Sequence, residues 1–246
     1  NHNADYQALM AGIDRSDDEG ALIEAIGGLE PFAQGLYGCT EMLVEAYIQM
    51  YRAGVISRPV YDDIGIQKLL DAGAIGTDVN ATTLAALRDA GDLRSQLDET
   101  DVARLKHIGV FHDRVSLRAR ELDAGDGGAT IAADLDDDEA RAAIETRCLG
   151  DRLKGATLVH GGFFLGPNSF YDALHGLDDH ERELFHMTSV GEINELYGNE
   201  ALRRVQRRQS RFVNTAIKAT LSGAIASDGL ESGQVLSGVG GQYNFV

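Results

Sequence analysis

The sequence predicts an α/β protein that carries a mainly helical insertion, and three observations support that expectation. Apolar residues recur at helical spacing through 40–51, as in Met42, Leu43, Ala46, Tyr47, Met50 and Tyr51. A central block, 60–155, alternates short acidic helical patterns with glycine-containing breaks. Beyond Gly155, short apolar runs of β character are mixed with helical stretches, the pattern of strands and helices packed in layers. The length of 246 residues suits one sizeable domain or two modest ones.

Taken in order, Asp17, Asp18 and Glu19 supply acidic first-turn residues to a helix through Ala21, Leu22, Ile23 and Ile26. Gly27, Gly28 and Pro31 interrupt it. The next helix is expected over 40–51 and places Glu41 at its start, with Gly54 just past its end and Pro59 blocking any continuation. Within the central block, helices are expected over 66–72, 82–90, 100–110 and 138–153. The turn cluster 124–128 precedes a short β-like run over 129–132. A buried strand is expected over 156–160, a helix from Phe170 to Leu174, a strand over 184–188 and a helix over 199–210. Residues 212–221 are strongly β-like, and no internal repeat stands out. Both ends read as cut: the chain begins at Asn1 without Met or a signal-peptide pattern and stops in the apolar run 243–246. A segment of a longer protein is the expectation.

Charge narrows the partners. Lys and Arg number 22 against 39 Asp and Glu, a formal net charge of −17. A pI near 4.7 argues against nucleic acid and anionic membrane as partners, since both need positive surface to displace counterions. No apolar run approaches the roughly 20 residues that span a bilayer. Two cysteines, Cys39 and Cys148, are too few for a disulfide scaffold and fit a reducing compartment, so a cytoplasmic location is expected. Asp outnumbers Glu and lysine is scarce, which fits either adaptation to high salt or a GC-rich coding bias.

Several motifs invite chemistry. Asp134, Asp136, Asp138 and Glu145 have the spacing of a calcium loop, but Glu139 stands where that loop needs glycine. An acidic helix N-terminus is the better reading. The histidines show no paired metal-ligand spacing, and no metal is expected. His160, Gly161 and Gly162 are similar to the backbone-donor loop of lipase-like hydrolases, yet no Gly-x-Ser-x-Gly elbow accompanies them. No Walker A or Gly-x-Gly-x-x-Gly loop is present. Arg203, Arg204, Arg207, Arg208 and Arg211 form a basic stripe at helical spacing, either a contact for cofactor phosphates or a solvated face paired with carboxylates. Cys39 and Glu41 are candidate nucleophiles. Glu41 follows a small-residue turn, where a carboxylate can project from a strand-to-helix junction; by spacing alone it is also an ordinary helix-start Glu.

Three stretches together resemble one family. Leu36-Tyr37-Gly38-Cys39-Thr40-Glu41-Met42, with Arg52-Ala53-Gly54-Val55 beyond the helix, resembles the Glu-bearing segment of family I CoA-transferases. Phe163-Phe164-Leu165-Gly166 with Phe170-Tyr171-Asp172 resembles a second segment. Asn214 through Ser237-Gly238-Val239-Gly240-Gly241-Gln242 resembles the ending of the acetyl-CoA hydrolase/transferase C-terminal domain. The resemblance covers 30–56 and 156–246. It implies an open, mostly parallel sheet flanked by helices over 1–59 and 156–246, with 60–155 inserted.

The resemblance also implies a function: an acyl-CoA hydrolase or CoA-transferase whose Glu41 attacks a thioester and carries a glutamyl-CoA thioester. Coenzyme A is then a cosubstrate, and acyl-CoA and a small carboxylic acid are the ligands. By the same resemblance Gly238, Gly240 and Gly241 form the oxyanion and CoA loop and Asn214 contacts substrate, while a strand-end turn and an ordinary buried amide are the alternatives. The N-terminal half of the same protein is an implied partner, a homo-oligomer is possible on these grounds, and the segment alone is expected to be inactive. Where the family has Glu-Met-x-x-Asp-Gly, this chain has Glu45-Ala46 in place of Asp-Gly. Two rival readings stand beside this one: a thioester hydrolase with Glu41 as general base, and a non-catalytic CoA-binding or assembly module.

Overall fold

The computed structural model describes residues 35–194, 198–208, 210, 212 and 216–236. They divide into two compact units. One holds the described residues up to Arg58, those from Leu158 to Gly198 and those from Arg207 onward; the other holds Pro59–Thr157 and Asn199–Gln206.

The first unit opens with β1 (Gly38–Leu43) and α1 (Glu45–Arg52). Glu41 therefore lies within a strand rather than at a helix start, a correction to the expected helix over 40–51. Parallel pairing along Gly38–Leu43 supplies a ladder of long-range hydrogen bonds that the local 3.6-residue pattern does not anticipate. Gly54, at φ +73°, closes α1 as expected.

The second unit follows. Its helices are α2 (Ile64–Asp71), α3 (Ala81–Asp89), α4 (Glu99–His107) and α5 (Asp138–Arg147). Between α4 and α5 lies an antiparallel sheet in the order β2 (Ser116–Arg118), β3 (Glu121–Asp123), β4 (Ile131–Ala132). Asp63, Asn80, Asp98 and Asp137 cap the four helices by accepting hydrogen bonds from first-turn N–H groups. The helix over 138–153 ends early, at Arg147, and the chain turns away to bridge Leu149 with Phe111.

A repeat emerges that the amino-acid pattern does not announce. Gly73, Gly91 and Gly109 fall at equal intervals, each just past a helix with φ of +68°, +69° and +81°. Ala74 N–H bonds to Leu69 O at 2.9 Å and Asp92 N–H to Leu87 O at 3.0 Å, the wrap-around closure of a helix by a left-handed glycine. Each unit of capping residue, short helix and glycine turn delivers its apolar stripe (Ile66, Leu84 with Leu87, Val102 with Leu105) to one core shared with Phe111, Leu122, Leu135 and Ile144. Cys148 lies in that core, where burial pushes its thiol up to about 11, a structural rather than reactive cysteine.

Arg104 ties the repeats together. Its guanidinium donates to both carboxylate oxygens of Asp63 at 2.7 and 2.8 Å, to Asp92 O at 2.9 Å, and to the Asp92 carboxylate. The cap of α2 is thus bound to a residue on α4 by a bidentate charged pair.

The chain then returns to the first unit through β5 (Val159–Phe164), α6 (Asn168–His175), α7 (Asp179–Glu183), β6 (Phe185–Met187) and α8 (Val190–Asn194). β5 begins later than the expected 156–160 and takes in Gly161, Gly162, Phe163 and Phe164. The sheet runs β1-β5-β6 with both pairings parallel, so the α/β class holds. Its core is Leu43, Ile48, Ile56, Val159, Phe170 and Leu177, with Tyr47 and Phe185 packed against them. α9 (Glu200–Gln206) belongs to the second unit, where Gln206 is fully buried and donates to Tyr61 O and the Asp62 carboxylate, each at 2.9 Å. Of the β-like run 212–221, the described residues form one short strand, β7 (Lys218–Ala219), paired antiparallel with β8 (Ile225–Ala226).

The Asp63–Arg104 pair predicts how the second unit responds to acid. Burial pushes the Asp63 carboxyl up, but the Arg104 hydrogen bonds, the Ile66 N–H and the Arg104 charge together outweigh it and leave it below the usual carboxylate range. A lowered folded-state value contributes stability at pH above about 4 that is lost as pH falls through the folded value. Arg104→Ala, which strands a half-buried carboxylate, is expected to cost about 2 kcal/mol at pH 7 in a denaturant titration, less than the loss of a fully buried pair. It should also flatten the loss of stability below about pH 4; an unchanged acid limb would refute this account.

Candidate active site

Glu41 sits in the edge strand β1, beside β5 and partly accessible. Its carboxylate Oε1 accepts a hydrogen bond from the side-chain amide Nδ2 of Asn194, the last residue of α8. An amide donor on one oxygen orients the carboxylate, and among the described residues no hydrogen bond reaches the second oxygen. It also avoids the fixed positive charge of an Arg or Lys partner, which would withdraw nucleophilicity.

The short helix that presents Asn194 is braced at both ends. Thr188 N–H bonds to Gly161 O at 2.8 Å, which joins the turn before α8 to β5. Ser189 Oγ accepts from Glu192 N–H at 3.2 Å and Thr188 Oγ1 donates to the Glu192 carboxylate at 2.5 Å. At the other end Arg207 donates to Ile193 O at 2.8 Å and to Glu192 O at 3.3 Å, a cation on the final carbonyls of the helix.

Gly162 sets how close these parts come. A Cβ there would lie 2.8 Å from Val190 Cγ2 and 2.9 Å from the Glu41 carbonyl oxygen. Bare backbone lets the first residue of α8 settle over β5 beside Glu41. Next to it, Gly161 faces Met187, whose sulfur would be 3.0 Å from an added Cβ.

One rung of the sheet is rich in chemistry: Cys39 pairs with His160, and His160 with His186. His160 is buried and shares a 2.6 Å hydrogen bond between its Nδ1 and the Tyr37 hydroxyl. The His160 and His186 rings meet edge to face at 5.2 Å. Burial raises the pKa of nearby Tyr47, opposed by a hydrogen bond with Thr40.

The residues expected to form the site are placed unevenly. Glu41 is in place and finds a partner. Asn214, Gly238, Gly240 and Gly241, expected to contact substrate and CoA, lie outside the described residues. Asn194 was missed by sequence reasoning; nothing local distinguishes it, and only the fold brings it across from Glu41. His160, Gly161 and Gly162 form part of strand β5 and not a donor loop. The acidic run behaves as a helix start: Asp137 caps α5, Asp138 pairs with Arg141, and Asp134 accepts from Asp136 N–H. Among the described residues no group of three or more His, Cys, Asp or Glu has metal-binding geometry. The basic stripe is partly turned inward, since Arg203 is buried and donates to Gln206 while Arg207 holds α8; Arg204 and Arg208 are exposed, and Arg211 lies outside the described residues.

Gly162→Ala is expected to destabilise the protein by about 1–3 kcal/mol, because one of the two clashes is with backbone that must shift. Chemical denaturation of the variant, with and without Val190→Ala, measures this. Partial recovery is expected in the double variant, since it relieves only the side-chain clash.

No curated protein and no solved structure matches the chain. A family model does, described as Acetyl-CoA hydrolase/transferase C-terminal domain, over residues 166–246. That stretch contains α8 with Asn194 and the glycines Gly238, Gly240 and Gly241, and Glu41 lies ahead of it. Over those residues the chain is similar to that C-terminal domain, and the match covers about a third of its length.

Proposed function

We propose that this chain acts on acyl-CoA thioesters, with Glu41 as the nucleophile that passes CoA between carboxylic acids or to water. The observation that carries the reading is the Glu41 carboxylate, held through one oxygen by the Asn194 amide at the edge of a parallel sheet, in a chain with the family match.

Glu41 attacks the thioester carbonyl through its second oxygen. The carbon–sulfur bond breaks, CoA departs as the thiolate, and a mixed anhydride remains on the side chain. The thiolate then attacks the Glu41 carboxyl carbon, expels the acyl group as a carboxylate and leaves a glutamyl-CoA thioester. In a transferase a second carboxylate reverses these steps. In a hydrolase water attacks instead and the carbon–sulfur bond breaks, giving back the Glu41 carboxylate and CoA as its thiol, with one of the water's protons on sulfur and the other released to solvent. Asn194 has a part in both halves: its N–H first orients the carboxylate and then faces the same oxygen when it becomes the thioester carbonyl and bears developing negative charge. Gly238, Gly240 and Gly241, as the resemblance implies, would add backbone donors, and the N-terminal half of the protein would complete the CoA and acyl pocket.

The test uses the full-length protein. Incubation with acyl-CoA followed by borohydride should reduce the thioester at Glu41, and peptide mass spectrometry should locate the change there. No adduct forms in Glu41→Gln. Asn194→Ala, with its melting temperature checked, is expected to lower kcat by about 100-fold. Turnover without any adduct in the unaltered protein would reject the covalent route.

A further inference from the structure

We infer that Arg207 is a positioning residue for the reaction and that the second unit acts on the site through it. Arg207 is joined to a residue locked in that unit, and it clamps the helix that presents Asn194. The inference rests on Glu41 being the nucleophile.

The chain of bonds starts in the second unit. Gln206, the last residue of α9, is fully buried. Its Nε2 donates to Tyr61 O and to the Asp62 carboxylate, each at 2.9 Å, and its Oε1 accepts from Arg203 Nη1 at 3.1 Å. A buried amide engaged through both its donor and its acceptor is rigid. The chain passes to the first unit at the very next peptide bond. Consecutive Cα atoms lie about 3.8 Å apart, so the main chain of Arg207 starts from a fixed point. Ser210 secures it from the other side: its N–H reaches Arg207 O at 3.2 Å, and its hydroxyl donates to the same oxygen.

From there the guanidinium reaches α8. Its Nη2 donates to Ile193 O at 2.8 Å and to Glu192 O at 3.3 Å. Its Nε is shut off from solvent and has no acceptor among the described residues. Such an arginine is an internal clamp and not a solvated contact for phosphates. A five-residue helix is too short to hold itself together, and its final carbonyls lack partners within the helix. Arg207 supplies those partners, and the next residue, Asn194, delivers its amide to the Glu41 carboxylate. Every step along Gln206, Arg207, Ile193, Asn194 and Glu41 is therefore a peptide bond or a hydrogen bond. Accuracy at the end of that path matters, because a displacement of about 1 Å can cost about 100-fold in rate.

The test uses the full-length protein. Arg207→Ala should lower kcat by about 10- to 100-fold and leave KM nearly unchanged. Arg207→Lys, which keeps a cationic donor, should recover part of the loss. Because Arg207 acts through Asn194, adding Arg207→Ala to Asn194→Ala should slow the protein no further. A raised KM with unchanged kcat would mean that Arg207 binds substrate directly, and overturns the inference. Losses that multiply in the double variant overturn it too. The share of the second unit is read with Gln206→Leu and with Asp62→Ala, the latter at an exposed position. Both should lower kcat in the unaltered background, and neither should lower it further beside Arg207→Ala. If both leave kcat intact, the second unit has no part.

Hydrogen exchange over residues 190–194 separates the clamp from the chemistry. It should quicken in Arg207→Ala, with or without Glu41→Gln, and unchanged exchange overturns the clamp. If exchange quickens while Glu41→Gln alone retains full turnover, the nucleophile assignment fails and the clamp stands.

Discussion

The parallel pairing of β1 with β5 is the constraint on which the candidate site depends. It sets Glu41 against a strand whose facing residues are two glycines. Because Gly161 and Gly162 have no side chains, Met187 and α8 can settle onto β5. The amide at the end of α8 then reaches a carboxylate far from it in sequence. The braces at Thr188, Ser189 and Arg207 act on the same short helix. A five-residue helix has little stability of its own, so its accuracy as a donor platform comes from these external bonds.

The second unit reaches order by a different route. Its helices α2, α3 and α4 are short, and each of these three is closed by the same means: a capping carboxylate or amide at the start and a left-handed glycine at the end. Local closure of this kind relieves the exposed backbone groups of a short helix, which tertiary packing would otherwise have to satisfy. It also uses up aspartates. Part of the acidity that looks like a surface property is thus structural, since Asp63, Asp98 and Asp137 accept backbone hydrogen bonds and Asp63 also receives Arg104.

Much of this was legible in the sequence, and the failures have physical causes. Glu41 stood out because the residues around it form a contiguous motif. The helices of the central block were legible because capping and apolar periodicity are local signals. The strand around Glu41 reads as the first turn of a helix, since Met42 and Leu43 continue the helical spacing of Ala46, Tyr47, Met50 and Tyr51 and strand pairing is invisible within one segment. Asn194 was missed for the same reason, and Asn214 was favoured because it lies in a recognisable motif. The repeat marked by Gly73, Gly91 and Gly109 was hidden because only its turn and cap are alike, while the intervening residues differ. The double glycine of β5 was noticed, but its role is to permit close packing rather than to donate hydrogen bonds.

The membership of α9 in the second unit has a consequence for how such a protein can be cut or assembled. The path of the chain crosses between units after Arg58, Thr157, Gly198 and Gln206. Removing residues 60–155 as a cassette would leave α9 behind without Tyr61 and Asp62, the groups that receive its buried Gln206. Its side-chain N–H groups would lose both of those acceptors. A shortened version of the protein therefore cannot be made by a single deletion with religated ends. It requires a rewritten α9 as well.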